Sequence, residues 1–291
     1  MKHAFLYPAL ILILLLNTHP AFSGSQALFT NLKEQLIRDG FDKKKIDRLY
    51  SNKKLAFDVP GISLFFVHSE YNLDYEQFIS KTSIKNAETY MDKYMARLTE
   101  AEKKYGVDKT IITAILLIES RLGTYTGNRL VINSLSTMAS LKYENVKNTF
   151  YSQIKDKRKL SRKKFNQKAR YRSKWAYNEL KAFLEYTTRE GLDPFKITGS
   201  YAGALGFSQF IPSNALRLAV DGNNDGSINL FHHPDAIYSI ANFLSHHGWK
   251  PSITRQKAYK VLYKYNRSKP YVTTLLKISH HLKGLKGQSY I

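Results

Sequence analysis

The sequence contains no cysteine. That absence excludes a disulfide framework, a thiolate metal site and a cysteine nucleophile. Acidic residues are also scarce, with 23 Asp and Glu against 45 Lys and Arg and a formal net charge of +22. Such a positive field attracts polyanions, among them nucleic acid, anionic lipid headgroups and anionic cell-wall polymers. Composition alone does not choose among these partners.

Long apolar runs are missing except near the N-terminus. There, a basic start precedes an apolar run over residues 5–16, and small residues follow it. This order is typical of a secretory signal peptide over residues 1–23, cleaved after Ser23. The run is short for a membrane span, and an uncleaved anchor is the alternative. No cysteine follows the run, which excludes a lipoprotein anchor, so we expect a periplasmic or secreted protein without a membrane span in its mature chain.

The rest of the sequence is patterned as helices, without strongly alternating strands. Apolar residues recur at helical spacing within residues 24–60, and again over residues 83–105, where Gly106 ends the pattern. The apolar residues 62–67, which follow a Pro-Gly break, are compatible with a short helix or a strand. A chain of 291 residues suits one large domain or two small ones.

A single glutamate follows the most apolar part of this pattern. Residues 111–118 are almost entirely apolar, Asp108 or Thr110 can cap their start, and Gly123 can end the helix. A helix of this kind is buried, and Glu119 lies near its C-terminal end. Burial and the negative end of the helix dipole both raise the pKa of a carboxyl group, which suits a general acid. A solvent-exposed or ion-paired Glu119 is the alternative.

Two glycine-rich segments follow later in the chain. In residues 199–213, glycines at steps of four and three allow close backbone approach, which suits a groove floor or tight helix packing. Residues 221–229 match the first half of an EF-hand loop, with oxygen-bearing side chains at positions 1, 3 and 5 and Gly226 at position 6. The usual closing glutamate is absent, but Asp235 can supply a late carboxylate. A hydrogen-bonded Asx-rich turn is the alternative to a calcium site.

Residues 155–174 are strongly basic, and only Asp156 opposes their charge. Their cations are Lys155, Lys157, Arg158, Lys159, Arg162, Lys163, Lys164, Lys168, Arg170, Arg172 and Lys174. This pattern is typical of a polyanion-binding patch, and equally of a solvated helical face or an inserted loop. No nucleic-acid-binding motif accompanies it, and the predicted signal peptide argues against a nucleic-acid partner.

Three blocks, in order and roughly in spacing, resemble the lytic murein transglycosylase B family. They are residues 114–123, 199–213 and 221–248. The similarity spans about residues 84–282. It implies a mainly α fold, with a lysozyme-like catalytic core, an EF-hand-like calcium loop and extra flanking helices. Residues 24–291 then form a lytic transglycosylase domain, in which residues 155–174 are a basic insertion.

The resemblance implies a peptidoglycan lytic transglycosylase. Such an enzyme cleaves the β-1,4 bond between N-acetylmuramic acid and N-acetylglucosamine of the glycan strand without water. The muramyl 6-hydroxyl attacks the anomeric carbon and leaves a 1,6-anhydromuramyl end. In the family, the residue that matches Glu119 is the only acid and base. Ordinary glycosidases use two carboxylates. No second carboxylate lies near Glu119 along the chain, which agrees with a single acid and base.

The resemblance also implies two sets of binding residues. Substrate contacts match Ser200, Gln209, Tyr265, Asn266 and Tyr271. A capping Asn and packed aromatic rings are the alternative for the last three of these. Ligands of a structural Ca²⁺ match Asp221, Asn223, Asp225, Ser227 and Asp235.

Two departures and the basic stretch leave other functions open. Leu122 stands where the family usually has Trp, and Phe243 where it has a cleft-lining Tyr. The alternatives are an inactive or weakly active peptidoglycan-binding or scaffold protein, and a hydrolytic muramidase. Residues 155–174 are predicted to bind anionic wall polymers or envelope proteins.

Overall fold

The computed structural model describes residues 26–67 and 74–285. The predicted signal peptide therefore lies outside the described residues. Within these two ranges, no helix is long and apolar enough to cross a membrane.

The described residues are mainly helical. Their α-helices are α1 Thr30–Arg38, α2 Lys43–Tyr50, α3 Val59–Val67, α4 Lys81–Lys93, α5 Met95–Tyr105, α6 Lys109–Ser120, α7 Val131–Ser140, α8 Glu144–Arg158, α9 Arg162–Arg189, α10 Pro212–Leu218, α11 His233–His246, α12 Arg255–Tyr265 and α13 Lys269–Leu282. Two 3-10 helices cover Ala27–Phe29 and Glu76–Ile79. One antiparallel ribbon pairs β1, Arg129–Leu130, with β2, Thr198–Gly199.

The segment that fitted a helix or a strand is helical. It forms α3, whose first turn contains Pro60 and Gly61. Proline is tolerated there because the N–H of a first-turn residue has no partner within the helix. The Pro-Gly pair therefore lies at the start of a helix and does not break one.

The predicted single helix over residues 83–105 is wrong in one respect, because the structure has two helices with a break at Tyr94. Tyr94 has φ −111° and ψ 19°, outside the helical range. Its ring packs against the Tyr90 ring at 4.6 Å and the His233 ring at 4.5 Å, measured between centroids. This packing holds the residue between α4 and α5. Gly106 ends α5 in the left-handed region, as predicted.

The helices pack in two groups around one hydrophobic core. In the first group, α7 lies along the long helix α9, with α1, α3, α8 and α10 around them. In the second group, α6 packs against α13, α4, α5 and α11. Residues 110–117 of α6 are all buried, which confirms the prediction of a buried helix before Glu119. The carboxylate of Asp108 caps α6 and accepts a hydrogen bond from the Thr110 amide at 2.9 Å.

The basic residues 155–174 are not an irregular loop. They form the end of α8, the turn after it and the first half of α9. Phe165, Ala169 and Ser173 are buried and attach α9 to the core. The stretch is therefore a packed helical hairpin with a basic outer face.

Candidate active site

Glu119 lies where the buried helix α6 reaches the surface. It is partly exposed, and the Tyr271 hydroxyl donates a hydrogen bond to its Oε1 at 2.6 Å. Tyr271 is only 1% exposed and lies in the first turn of α13. Two residues that are 152 positions apart are thus joined at one site. The structure thus brings Tyr271 to Glu119, while a sugar contact of Tyr271 stays a prediction.

An open pocket of about 300 Å³ surrounds the Glu119 carboxyl group. Asn266, Tyr271 and Tyr125 line it, together with the segment that leads into the 3-10 helix Glu76–Ile79. Tyr125 lies at the edge of the pocket and is 62% exposed. The structure thus places Asn266 and Tyr271 in the same pocket as Glu119, as the resemblance implied.

One wall of this pocket consists of residues that the sequence did not predict as part of the site. Asp74, Tyr75, Gln77 and Phe78 all line it. The Gln77 Oε1 accepts a hydrogen bond from Arg121 Nη2 at 2.7 Å, which ties this wall to the end of α6. No motif in the sequence marks these residues. Asp74 adds a second acidic residue to the pocket lining, and its Oδ1 accepts a hydrogen bond from the Glu76 amide at 3.0 Å.

Tyr265, which is not among the residues that line this pocket, and Tyr271, which is, both keep their protons. Tyr265 ends α12, and its hydroxyl donates to the Ser208 carbonyl oxygen at 2.6 Å. Burial, and then the Glu119 carboxylate, raise the pKa of both Tyr265 and Tyr271 well above the usual value near 10. Each phenol is therefore a hydrogen-bond donor at neutral pH.

The chain turns sharply directly after the catalytic candidate. Arg121 and Leu122 have φ 48° and 61°, the left-handed region that few non-glycine residues adopt. The Leu122 amide donates to the Leu116 carbonyl oxygen at 2.9 Å, which closes the helix. The predicted stop at Gly123 is therefore three residues late, because α6 ends at Ser120. Two strained residues at this point are typical of a functional site.

The Gln209 side chain contacts the loop that follows α6, whereas the Ser200 hydroxyl is bonded within its own segment. The Gln209 Nε2 donates to the carbonyl oxygens of Thr126 at 3.1 Å and Gly206 at 2.9 Å. The Ser200 Oγ accepts from the amides of Ala202 and Ala204, both at 3.2 Å. These bonds shape the 199–210 segment. A contact between either residue and a sugar stays a prediction.

Glycine is required where this segment meets the loop after α6. A Cβ added to Gly127 would lie 2.2 Å from the Gly199 carbonyl oxygen, closer than any real contact. The predicted close backbone approach is thus confirmed at residue 199. It holds the two segments together beside the pocket.

Phe243 does not line the cleft. It is 2% exposed and packs against the rings of Phe210 at 5.6 Å and Tyr265 at 4.8 Å. Its role here is to support Tyr265 from behind. A hydroxyl at this position would have to be buried.

His233 supports the loop after α6 from another side. Its Nδ1 lies 2.9 Å from the Tyr90 hydroxyl oxygen, and its ring packs on the Phe207 ring at 4.5 Å. A Cβ added to Gly123 would lie 2.7 Å from His233 Cε1, so the loop touches the imidazole. Burial lowers the pKa of His233 to about 4, helped by the positive charges of Lys93 and His232. The imidazole is neutral at pH 7.

The calcium-like loop is closed by its own backbone. The Asp221 Oδ1 accepts from the Asn224 amide at 2.6 Å, and its Oδ2 from the Gly226 amide at 2.8 Å. Asp235 is fully buried, and its two oxygens accept from the amides of Gly222 at 2.9 Å and Asn229 at 2.7 Å. Asp235 therefore fastens both ends of the loop, a function that the sequence did not predict.

The loop residues supply only oxygen donors, which is the donor chemistry that Ca²⁺ prefers. Asp225 bonds to the Ser227 amide at 2.9 Å and hydroxyl at 3.1 Å, and to the Asn223 side chain at 2.8 Å. In residues 26–67 and 74–285, however, no three acidic, His or Cys side chains converge in a way that could hold a metal ion. The oxygen donors of the loop are of the kind that Ca²⁺ prefers. In the described residues, however, the loop carboxylates do not point to one common position.

Comparison with known proteins identifies the family. The sequence profile described as Transglycosylase SLT domain matches residues 24–258. The chain belongs to this family. The match includes Glu119, the segment with Gln209, the loop with Asp221 and the basic hairpin. It ends before both Tyr265 and Tyr271.

Named relatives agree with this membership. The chain is 32% identical over 174 residues to membrane-bound lytic murein transglycosylase B of Escherichia coli K12. That alignment covers 60% of this chain and 41% of the relative, so the chain spans about two fifths of the relative's length.

Solved structures show that the fold is shared. The soluble lytic transglycosylase SltB1 of Pseudomonas aeruginosa superposes with a TM-score of 0.72 and 22% identity, over 90% of this chain and 100% of that one. The Escherichia coli lytic transglycosylase SLT35, in complex with calcium, gives 0.65 and 21%, over 90% and 94%. Pseudomonas aeruginosa SltB3, in complex with NAG-anhNAM-pentapeptide, gives 0.69 and 20%, over 89% and 80%. The mainly α, lysozyme-like architecture is thereby confirmed.

Proposed function

We propose that this chain is a lytic transglycosylase that cleaves the β-1,4 bond between N-acetylmuramic acid and N-acetylglucosamine without water. The observation that carries this proposal is the hydrogen bond from Tyr271 to Glu119 inside an open pocket. Membership of the transglycosylase SLT domain family supports it. The Escherichia coli relative carries the name of a murein transglycosylase.

Glu119 is the single acid and base in this proposal. Because Tyr271 donates to Oε1, the proton of the neutral acid belongs on Oε2. From there it passes to the glycosidic oxygen as the bond to the anomeric carbon breaks. The resulting carboxylate then accepts the proton of the muramyl 6-hydroxyl, whose oxygen bonds to the anomeric carbon. The products are a 1,6-anhydromuramyl end and a free 4-hydroxyl, and Glu119 is protonated again.

The hydrogen bond from Tyr271 is stronger at one stage of this reaction than at the others. A hydrogen bond to a charged oxygen is stronger than one to a neutral oxygen. Its O–H therefore stabilises the carboxylate form of Glu119 that exists between the two proton transfers. Tyr265 cannot bond to Glu119 in the same way while its hydroxyl donates to Ser208.

Peptidoglycan as the substrate is supported by structural neighbours. SltB3 of Pseudomonas aeruginosa has been solved with NAG-NAM-pentapeptide and with NAG-anhNAM-pentapeptide. The predicted signal peptide agrees with a protein that works at the cell wall.

A hydrolytic muramidase is the second candidate, and Asp74 is the observation that favours it. Asp74 is among the residues that line the pocket of Glu119. Two carboxylates on either side of a glycosidic bond are the usual arrangement for hydrolysis by water. Digestion in H₂¹⁸O separates the two reactions, because hydrolysis places the label in the product and transglycosylation does not.

Calcium is proposed as a structural ion in the 221–235 loop. Asp221, Asn223, Asp225, Ser227 and Asp235 would hold it, and the neighbour SLT35 was solved in complex with calcium. The ion would neutralise the loop carboxylates and stiffen the start of α11. Thermal unfolding with Ca²⁺ and with a chelator tests this. A melting temperature that is identical in both would reject the site.

Zymography on purified sacculi tests whether the chain is an enzyme at all. The wild type is expected to clear the gel, and Glu119→Gln is expected not to. If both clear alike, Glu119 is not the acid. If neither clears while both bind sacculi, the chain is a binding or scaffold protein.

A further inference from the structure

The basic hairpin of α8 and α9 carries a positive face without local compensation. None of the eleven cations of residues 155–174 forms an ion pair with an acidic side chain in the described part of the chain. Eight of them are exposed and three are partly exposed. The exposed ones are Lys155, Lys157, Lys159, Lys163, Lys164, Lys168, Arg170 and Lys174.

Four of the charges of α9 lie on the side of the helix that faces away from the core. Lys163, Lys164, Arg170 and Lys174 are exposed, while Phe165 and its neighbours one and two turns later are buried against the core. Tyr171 stands among these cations and is 79% exposed. A face with this charge density attracts a polyanion.

A path of ring contacts leads from this face to Tyr201, next to the predicted sugar contact Ser200. The Arg172 guanidinium lies over the Phe65 ring, 3.9 Å from its centroid. Phe65 stacks on Trp175 at 5.8 Å and meets the Tyr201 ring edge-on at 5.9 Å. Tyr201 directly follows Ser200. A continuous rim of rings and one guanidinium thus joins the basic face to the segment that carries Gln209.

A groove beside this face is lined by an arginine that hydrogen bonds hold in one orientation. Arg158 donates from Nε at 3.1 Å and from Nη2 at 2.8 Å to the hydroxyl oxygen of Ser63. The partner that orients the guanidinium is a neutral hydroxyl group and not a carboxylate. It lines an open groove of about 550 Å³ between α3 and α8, together with Lys157. Arginine held in this way suits the bidentate recognition of a carboxylate.

We propose that the outer face of the α8–α9 hairpin binds the stem peptides of the glycan strand that is being cleaved. This inference rests on the proposed function, because it assigns the occupant by continuity with the cleft. Each stem peptide ends in a carboxylate, so a strand that carries several is a regularly spaced polyanion. The strand would leave the Glu119 pocket past Ser200 and Tyr201 and place its peptides over Lys163 to Lys174 and Arg158.

A binding experiment without turnover tests this inference. The full chain with Glu119→Gln serves as the parent protein. The face variant adds Lys157→Gln, Lys163→Gln, Lys164→Gln and Lys174→Gln. The control variant adds Lys44→Gln, Lys53→Gln, Lys81→Gln and Lys103→Gln, four exposed lysines of other segments. Both variants lose the same charge, and Gln keeps the helix propensity of Lys.

Cosedimentation measures the affinity of each protein for two forms of sacculi, both freed of secondary polymers. One form keeps its stem peptides, and an amidase has removed them from the other. With peptides present, we expect the face variant to bind about tenfold more weakly than the control, given modest gains from each exposed pair. Removal of the peptides should weaken the control about tenfold and leave the face variant nearly unchanged.

Three results would overturn the inference. The first is equal binding of the two variants to peptide-bearing sacculi. The second is a loss on peptide removal that is the same for both variants. The third is tighter binding of the control variant to phosphatidylglycerol vesicles than to peptide-bearing sacculi, which would assign the face to a membrane. Since no arm requires cleavage, a negative zymogram rejects the proposed enzyme without deciding these outcomes.

Discussion

The Tyr271 hydroxyl donates a hydrogen bond to Glu119 Oε1 at 2.6 Å. Tyr271 lies at the start of α13, and Glu119 lies at the end of α6. The bond is short, and its donor is buried. In the proposed mechanism, this bond leaves Oε2 to carry the acidic proton. It also gives the proposed carboxylate form of Glu119 a hydrogen-bond donor that is already in place.

Replacement of Tyr271 by Phe removes this bond and keeps the ring. We expect the melting temperature to change little and the turnover number on sacculi to fall about 10- to 100-fold, because the bond is made to a charged oxygen during the reaction. The pH optimum should also move up, since the acid loses a donor that favours its ionised form. Steady-state rates from pH 4 to 8 measure both effects.

Tyr263→Phe is the matched control for this change. Tyr263 lies in α12 and is 37% exposed, outside the pocket that contains Glu119. Its loss of a hydroxyl should leave turnover and pH optimum as in the wild type. An equal effect of both variants would mean that the Tyr271 bond is not part of the chemistry.

Asp74→Asn decides whether the second carboxylate of the pocket takes part. If Glu119 acts alone, the variant keeps at least about half of the activity, and its products still incorporate no ¹⁸O from labelled water. A loss of 100-fold or more would assign Asp74 a catalytic role. Label in the products of the wild type that disappears in the variant would favour hydrolysis.

His233 predicts a pH-dependent stability. Its pKa of about 4 in the folded chain lies below the ordinary value of 6.5. Between these values the unfolded chain binds a proton that the folded chain does not, so stability falls as the pH decreases from 6.5 to 4. The contribution is at most about 3 kcal/mol. Urea unfolding at pH 7 and pH 4.5 should show a smaller pH effect in His233→Gln than in the wild type.

The exposed His246 provides the comparison for this measurement. His246→Gln should keep the pH dependence of the wild type. If the wild type and His233→Gln lose the same free energy of unfolding on acidification, burial of the His233 imidazole does not cause the effect.

Asp235 predicts a loss of stability that is independent of calcium. Asp235→Ala leaves the amides of Gly222 and Asn229 without their acceptor in a buried place. We expect a cost of about 2–4 kcal/mol in urea unfolding, with a chelator present. Asp225→Asn lies in the exposed part of the loop and should cost less than about 1 kcal/mol under the same conditions. Only the stabilisation by added Ca²⁺ should be reduced in Asp225→Asn.

The sequence predicted those parts of the fold that depend on local pattern. The apolar residues 111–118 required a buried helix, and Asp108 and Gly106 marked the boundaries around it. The end of α6 was not predictable, because Arg121 and Leu122 adopt a conformation that their side chains disfavour and only packing can impose. The break at Tyr94 has the same kind of cause, since it depends on His233, far along the chain.

The site was predictable in part from local pattern and in part from the resemblance. Glu119 followed from its apolar helix, Asn266 and Tyr271 from the resemblance, and the structure brings the three together. The wall from Asp74 to Phe78 was missed, since it belongs to a segment without a motif and meets Glu119 only through folding. Asp235 was assigned to calcium, while its two backbone bonds are visible only in three dimensions.

Mass spectrometry of the products released from sacculi tests the central claim most directly. Wild-type protein and Glu119→Gln should be compared under identical conditions, with folding of the variant checked by its melting temperature. Our account predicts 1,6-anhydromuramyl ends from the wild type and no soluble products from Glu119→Gln. Reducing muramyl ends from the wild type, or equal product release by the two proteins, would contradict it.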